Sequence, residues 1–299
     1  MTEFQRALLD HFDAHRRSLP WRKTADPYRI WVSEVMLQQT RAETVCAYYE
    51  RWMQQFPEIH ALANATIDAV LKAWEGLGYY SRAHNLHRGA QVVCERHRGI
   101  LPSEPDHLRT LPGIGEYTAG AIASIAYGVP APAVDGNVKR VLCRLLDKPR
   151  LTSTEFRNHA ARLVPQRRPG DFNQALIELG ATLCTARSPR CDRCPVSTHC
   201  QAFARGTQLK RPARESSAPI PDRRFVTLVI IDDARNTIVH QRPPKGLLAG
   251  MWEFPTFEGV RPQRFLRQLL GKDTPTTQNL GLEIHPFSHF RAHYAVHLC

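Results

Sequence analysis

Four cysteines, Cys184, Cys191, Cys194 and Cys200, crowd into one short stretch with the spacing C-x6-C-x2-C-x5-C. A loop that gathers four thiolates is folded around what it binds, so this run constrains the chain more than any other segment. Tetrahedral zinc and a cubane iron–sulfur cluster both suit four thiolates. Zinc sites usually carry two C-x2-4-C knuckles, whereas only one C-x2-C occurs here. Nothing else in the sequence suggests the oxidising compartment that paired disulfides require. Arg187, Arg190 and Arg193 lie between the cysteines. They can balance a negatively charged cluster or point outward to phosphates. Cys46, Cys94, Cys143 and Cys299 read as small core residues.

The charge balance narrows the partner. The 299 residues carry 40 Lys and Arg against 28 Asp and Glu, a formal net charge of +12. An acidic partner is expected, and nucleic acid is the commonest. No apolar run is long enough to span a bilayer. The first residues, MTEFQRALLDHFDAHRRSLP, scatter charge where a signal peptide needs an apolar core. A cytoplasmic protein with no membrane partner is expected.

Residues 1–200 read as helical, with Val45, Tyr48, Tyr49 and Trp52 at helical spacing. Asp26-Pro27 is an N-cap and first-turn pair, which predicts a helix from about Pro27 toward Leu37. Thr40-Arg-Ala-Glu43 reads as a capping box opening the next helix. Gln38 and Gln39 then fall at the junction, where neutral amides can touch bases. Residues 106–127 read as helix, tight turn, helix. Gly113 and Gly115 in LPGIG can take positive φ, and free amides at the start of the second helix make an anion site. This is a helix-hairpin-helix, a sequence-independent phosphate clamp. Lys139 and Arg140 follow it in VDGNVKR.

Glu34 lies mid-helix among apolar neighbours, where burial raises a carboxyl's pKa and fits it for general acid work. Asp135 sits in a turn bounded by glycine. Two carboxyls in differently polar settings are the usual means of breaking a glycosidic bond. Residues 203–223 lose periodicity and read as a linker. Beyond it, Phe225–Ile231 and Thr237–Gln241 read as strands around a turn at 232–236. Gln263–Leu270 reads as a short helix, and His285–Leu298 as a strand pair or a strand plus loop. Histidines at 285, 289, 293 and 297 would line one face of a helix, but Pro286 and the apolar alternation favour strand.

The hairpin, VDGNVKR and the cysteine loop together resemble the helix-hairpin-helix DNA glycosylase superfamily that carries a [4Fe-4S] cluster. SEVMLQQT, GLGYYSRA, FNQALIELGA, GLLAGMWEFP and the FSH tripeptide resemble the adenine DNA glycosylase (MutY) family. The resemblance implies a mostly α fold. A two-lobed all-α glycosylase domain over 1–202 is followed by a smaller MutT-like α+β domain over 224–299. Because family members continue with more strand and a terminal helix, it also implies that this second domain is cut short.

The implied activity is removal of adenine from A:8-oxoguanine and A:G mispairs in double-stranded DNA, by a monomer. Glu34 matches the family's catalytic glutamate and Asp135 its catalytic aspartate, with Tyr117 and Asn137 in support. Trp21, Arg22 and Glu178 match the adenine pocket. Gln39 and Tyr79 match residues that wedge into the duplex, and Gln38, Gly113, Gly115, Lys139 and Arg140 complete the expected DNA surface. Ser288, between Phe287 and His289, matches the 8-oxoguanine contact. The cluster ligands would be Cys184, Cys191, Cys194 and Cys200.

Two other readings compete. Endonuclease III resembles the first two hundred residues but has, after the hairpin, a lysine that forms a Schiff base. Tyr117 holds that position here, which implies a monofunctional glycosylase. The second reading is a nucleotide pyrophosphohydrolase acting through the C-terminal domain. It needs a glutamate-rich Mg2+ helix, and QRFLRQLL has no acid.

Overall fold

The structure is a computed structural model and describes residues 1–213, 219–243, 246–271 and 276–299. The chain divides into two compact units, Met1–Arg214 and Glu215–Cys299.

The first unit contains helices α1 (Glu3–His15), α2 (Pro27–Met36), α3 (Ala42–Gln55), α4 (Ile59–Ala63), α5 (Ile67–Trp74), α6 (Ser81–His97), α7 (Pro105–Leu108), α8 (Glu116–Tyr127), α9 (Gly136–Leu145), α10 (Ser153–Leu163), α11 (Pro169–Thr182) and α12 (Gln201–Ala204). They form two lobes. In one, α1 returns against α9, α10 and α11, burying Leu8, Phe12, Val138, Leu142, Phe172 and Leu176, and Cys184, Cys194 and Cys200 pack against this core. In the other, Trp52 meets Trp74 edge to face, 5.5 Å between ring centroids. Trp52 also donates to the Tyr28 hydroxyl, which donates in turn to the Phe56 carbonyl.

Helix α8 joins the lobes, packing on both α2 and α11. Its small residues allow this. A Cβ at Gly120 would stand 2.0 Å from the Pro132 carbonyl oxygen. Where α11 begins, a Cβ at Gly170 would stand 2.6 Å from the Ser124 carbonyl oxygen.

Local expectations met mixed outcomes. Asp26 caps α2, its carboxylate accepting from the amides of Tyr28 and Arg29. The capping box at Thr40 does not form. Helix α3 starts two residues later, and its N-cap Arg41 makes no side-chain cap. The competing partner is distant in sequence, since Glu43 pairs with Arg17 at 3.3 Å. Residues 203–213, read from composition as the start of a linker, instead belong to the first unit. Asp147 accepts from Thr207 and Arg205 and pairs with Arg211 at 2.8 Å, and Ala213 donates to the Pro149 carbonyl. The expected linker's residues 214–218 lie outside the described residues.

In the second unit β1 (Asp222–Val229), β4 (Thr256–Glu258), β5 (Gln278–Pro286) and β6 (Arg291–Leu298) form a mixed sheet in the order β4-β1-β6-β5. β1 and β6 run parallel, and the other two pairings are antiparallel. β2 (His240–Gln241) and β3 (Trp252–Glu253) form a separate ribbon. The expected turn is closed by an Ile231–Thr237 bridge, and of the second expected strand, 237–241, only His240–Gln241 forms a regular strand. Helix α13 (Pro262–Leu270) lays Phe265 and Leu266 on Val226 and Leu228. The histidines occupy strand and turn: His285 lies one residue before the end of β5, His289 lies in the connection, and His293 and His297 lie on β6. The one-face helical spacing therefore does not arise. Among the described residues no helix is long and apolar enough to cross a membrane.

Gly120→Ala should be destabilising by about 1–3 kcal/mol, because the clash is with backbone that cannot swing aside. Urea unfolding should show a lower midpoint at unchanged slope.

Candidate active site and DNA-binding surface

The site forms where α2, α8 and the start of α9 meet. Glu34 sits on the buried face of α2 with 6% of its surface exposed. Tyr117, in the first turn of α8, donates its hydroxyl to Glu34 Oε2 at 2.5 Å. Burial, offset by this bond and by Arg22 but reinforced by the charge of Asp135, pushes the Glu34 carboxyl up to about 7. The Tyr117 hydroxyl is held well above its ordinary range by burial and by Glu34. Tyr117 therefore stays protonated and donates to Oε2, which leaves Oε1 for the carboxyl proton.

Asp135 is the N-cap of α9. One carboxylate oxygen accepts from the Val138 amide and the other from Asn137 Nδ2, both at 2.7 Å. Charge-assisted bonds of this kind hold a carboxylate in one orientation. The loop before it is pinned by Asn173, which sequence reasoning did not single out. Buried Asn173 accepts from the Ala133 amide and donates to the Ala131 carbonyl and Ser124 Oγ. Two carboxyls about a hundred residues apart in sequence thus share one electrostatic environment.

Arg140, expected on the DNA surface, turns inward. Its Nε donates to Cys184 O and its Nη2 to Asn137 Oδ1 and Gly180 O. Lys139 remains exposed beside it, its ammonium over the Phe156 ring, and it lines one concavity with Glu116 and Tyr117.

Trp21 and Arg22 lie on the short 3-10 helix Pro20–Lys23, with Trp21 edge-on to Tyr49. Glu178 on α11 forms a close ion pair with Arg22 and also accepts from the Arg17 amide at 2.9 Å. Burial would raise the Glu178 carboxyl, but Arg22 and Arg17 outweigh it and hold it low. Glu178 is thus ionised and already paired. Trp21 and Arg22 line one cavity and Glu178 another, and the Arg22–Glu178 ion pair stands between them.

The hairpin turn has Gly113 at φ +78°, where a Cβ would also strike Asn85. Gly115 departs from expectation. It is extended, at φ −91°, and caps α8 with open space beside its Cα. No side chain caps α8, so its first amides are free for an anion. On the opposite loops Gln39 has φ +57° and Tyr79 φ +49°, which costs about 1–3 kcal/mol for each non-glycine residue. Both side chains are exposed. Gln38, expected beside Gln39, turns toward Thr118 Oγ1 at 3.4 Å.

All four cysteines of the loop line one small cavity with Arg144, Leu183 and Phe203, though their sulfurs do not stand as a closed ligand cage. Burial, then neighbouring sulfurs, push Cys194 up to about 11. Arg144, buried on α9, donates to Cys184 Sγ at 3.2 Å and to the Cys184, Thr185 and Gln208 carbonyls. A fixed cation aimed at a cysteine sulfur suits a cluster of thiolates, so the donor set fits an iron–sulfur group. The expected balancing arginines do not take this part. Arg190 donates to the Thr182 carbonyl, and Arg187 and Arg193 face solvent.

The FSH tripeptide forms the turn between β5 and β6, closed by a Phe287 N–H to Phe290 O bond of 2.9 Å. Phe287 packs inward on Phe290, whereas Ser288 and His289 are exposed.

Known proteins agree with this arrangement. Residues 32–166 match the HhH-GPD superfamily of base excision DNA repair proteins. Residues 184–200 match the iron–sulfur binding domain of endonuclease III, and residues 226–299 match the NUDIX domain. The cofactor is a [4Fe-4S] cluster. The chain is 39% identical to an adenine DNA glycosylase of Rattus norvegicus, over 99% of this chain and 70% of the relative. A thermostable thymine-DNA glycosylase superposes with a TM-score of 0.64 at 29% identity, covering 68% of this chain and 95% of that one. An endonuclease III trapped as a covalent intermediate with DNA superposes at 0.59 with 25% identity, over 69% of this chain and 99% of that one. A chain that joins this fold, this cysteine loop and near-full-length likeness to such relatives belongs to the adenine DNA glycosylase family, DNA-binding hydrolases of N-glycosyl bonds that act in base excision repair.

Proposed function

We propose that this enzyme, acting as a monomer, extrudes adenine from A:8-oxoguanine and A:G mispairs and releases it by acid-assisted hydrolysis without strand cleavage. The observation that carries this reading is the buried Glu34 carboxyl, hydrogen-bonded by Tyr117 and facing Asp135. Adenine expelled as an anion is a poor leaving group, so a proton delivered to N7 is the step that matters. Glu34, which burial brings to a pKa of about 7 and so keeps substantially protonated near neutrality, supplies it. The C1′–N9 bond then breaks with its electron pair leaving on adenine. Positive charge grows on the sugar, where the oriented Asp135 carboxylate stabilises it until water adds at C1′.

Tyr117 offers a hydroxyl fixed to Glu34 where a lyase needs an amine, which supports a monofunctional reaction. The free amides of α8, with Gly113, Gly115 and Lys139, take a phosphate. Gln39 and Tyr79 enter the duplex beside the extruded base, and unstacking costs least at a mispair. Trp21, Arg22 and Glu178 border the adenine. In the recognition domain, 224–299, Ser288 and His289 present their polar groups outward at the β5–β6 turn, as contact with 8-oxoguanine requires. Cys184, Cys191, Cys194 and Cys200 hold the cluster, and Arg144 orients Cys184.

Single-turnover assays on A:8-oxoguanine duplexes should give strand scission only after alkali. Scission without alkali would point to a lyase and remove the Tyr117 argument. Glu34→Gln should bind the duplex with near-normal affinity yet release no adenine. Normal turnover by that variant would overturn the assigned role. Because the acid must be protonated, base release should fall about tenfold per pH unit above the Glu34 pKa of about 7. A pH–rate profile flat through pH 8 would contradict it.

A further inference from the structure

Arg82 stands at the start of α6 with only 7% of its surface exposed, yet no carboxylate among the described residues pairs with it. Its terminal nitrogens are spent mainly on backbone carbonyls. Nη1 donates to the carbonyls of Val35, Met36 and Gln38 at 3.0, 2.9 and 2.5 Å. Nη2 donates to the carbonyls of Leu77 and Gly78, each at 3.0 Å, and to Thr40 Oγ1 at 3.3 Å. The first group is the C-terminal end of α2 together with the loop that carries Gln39. The second is the turn that carries Tyr79. The guanidinium also lies 5.1 Å from the Trp74 ring and 5.6 Å from the Tyr79 ring.

We propose that Arg82 is a positioning residue that clamps the Gln38–Thr40 loop to the Leu77–Tyr79 turn, fixing the two side chains that enter the duplex. This rests on the reading of Gln39 and Tyr79 as the intercalating pair. Both residues hold left-handed backbone that side chains disfavour, so each needs external fixation, and the same guanidinium reaches the loops of both. A planar fork of five donors can span two loops at once. Lysine, with the same charge at a single point, can serve one loop at a time. Arg82 bonds carbonyls one and two residues beyond Glu34, but the Tyr117 bond to Glu34 comes from α8. Loss of the clamp should therefore slow extrusion and leave the acid unchanged.

The test is a double-mutant cycle on Arg82→Lys and Tyr79→Ala. Stopped-flow fluorescence of a non-cleavable adenine analogue opposite 8-oxoguanine reads extrusion, and a pH–rate profile reads Glu34. Tyr79→Ala should slow extrusion about 10- to 100-fold, as a misplaced contact does. If it does not, the intercalation reading fails whatever Arg82 does. Arg82→Lys should slow extrusion within the same range with the descending limb still near pH 7, and the double variant should be no slower than the worse single. Additive losses, a normal rate in Arg82→Lys beside a slow Tyr79→Ala, or a shifted pH limb would each overturn the clamp. Should Arg82→Lys not fold, Thr40→Val removes one peripheral acceptor and should show the same split in smaller measure. Normal extrusion by Thr40→Val would then overturn the clamp.

Discussion

An ionisable carboxyl buried between two helical lobes is expensive, and much of this structure can be read as the means of keeping Glu34 there. Water would solvate the carboxylate and restore an ordinary pKa. The apolar face of α2, the close approach of α8 and the returning lobe of α9–α11 exclude it. One hydroxyl, from Tyr117, satisfies one oxygen, and the other is left for the proton. Asp135 lies close enough to discourage a second negative charge. It is held by different means, through capping an amide and accepting from Asn137. Two like groups are thereby set to different tasks by their surroundings.

Arginine supplies much of the remaining order. Arg22 and Arg17 share Glu178, Arg140 ties the α9 cap to the end of α11, Arg144 gathers the cysteine loop, and Arg82 joins two loops. Buried or half-buried guanidinium groups bond carbonyls at helix ends, where partial negative charge and unpaired acceptors coincide. The net charge of +12 is thus not all available to DNA.

That division marks the limit of what the sequence could tell. Local chemistry was legible. Asp26-Pro27 caps α2, Glu34 falls on its buried face, Gly113 needs positive φ, and the cysteines share one cavity. The failures involve long-range partners. Thr40 and Glu43 have the spacing of a capping box, but Arg17 claims Glu43 and Arg82 claims Thr40. Arg140 reads as a surface cation because nothing local reveals Gly180 and Cys184 beside it. The polar run 203–213 has a linker's composition, yet Asp147 and Arg144 bind it to the first unit. Arg82 and Asn173 went unnoticed for the same reason, since their importance lies in acceptors scattered across the fold.

The first turn of α8 has one more consequence. Its free amides and the Tyr117 hydroxyl belong to the same few residues, and the helix behind them packs on α2 and α11, with backbone brought close at Gly120 to Pro132 and at Gly170 of α11 to Ser124. The grip on the strand and the support of the acid are therefore two ends of one short, stiff strut. A sugar–phosphate chain seated on those amides is surveyed from the same origin as the proton donor, and small thermal displacements of either lobe carry both together. Alignment is inherited from covalent geometry rather than rebuilt at each encounter.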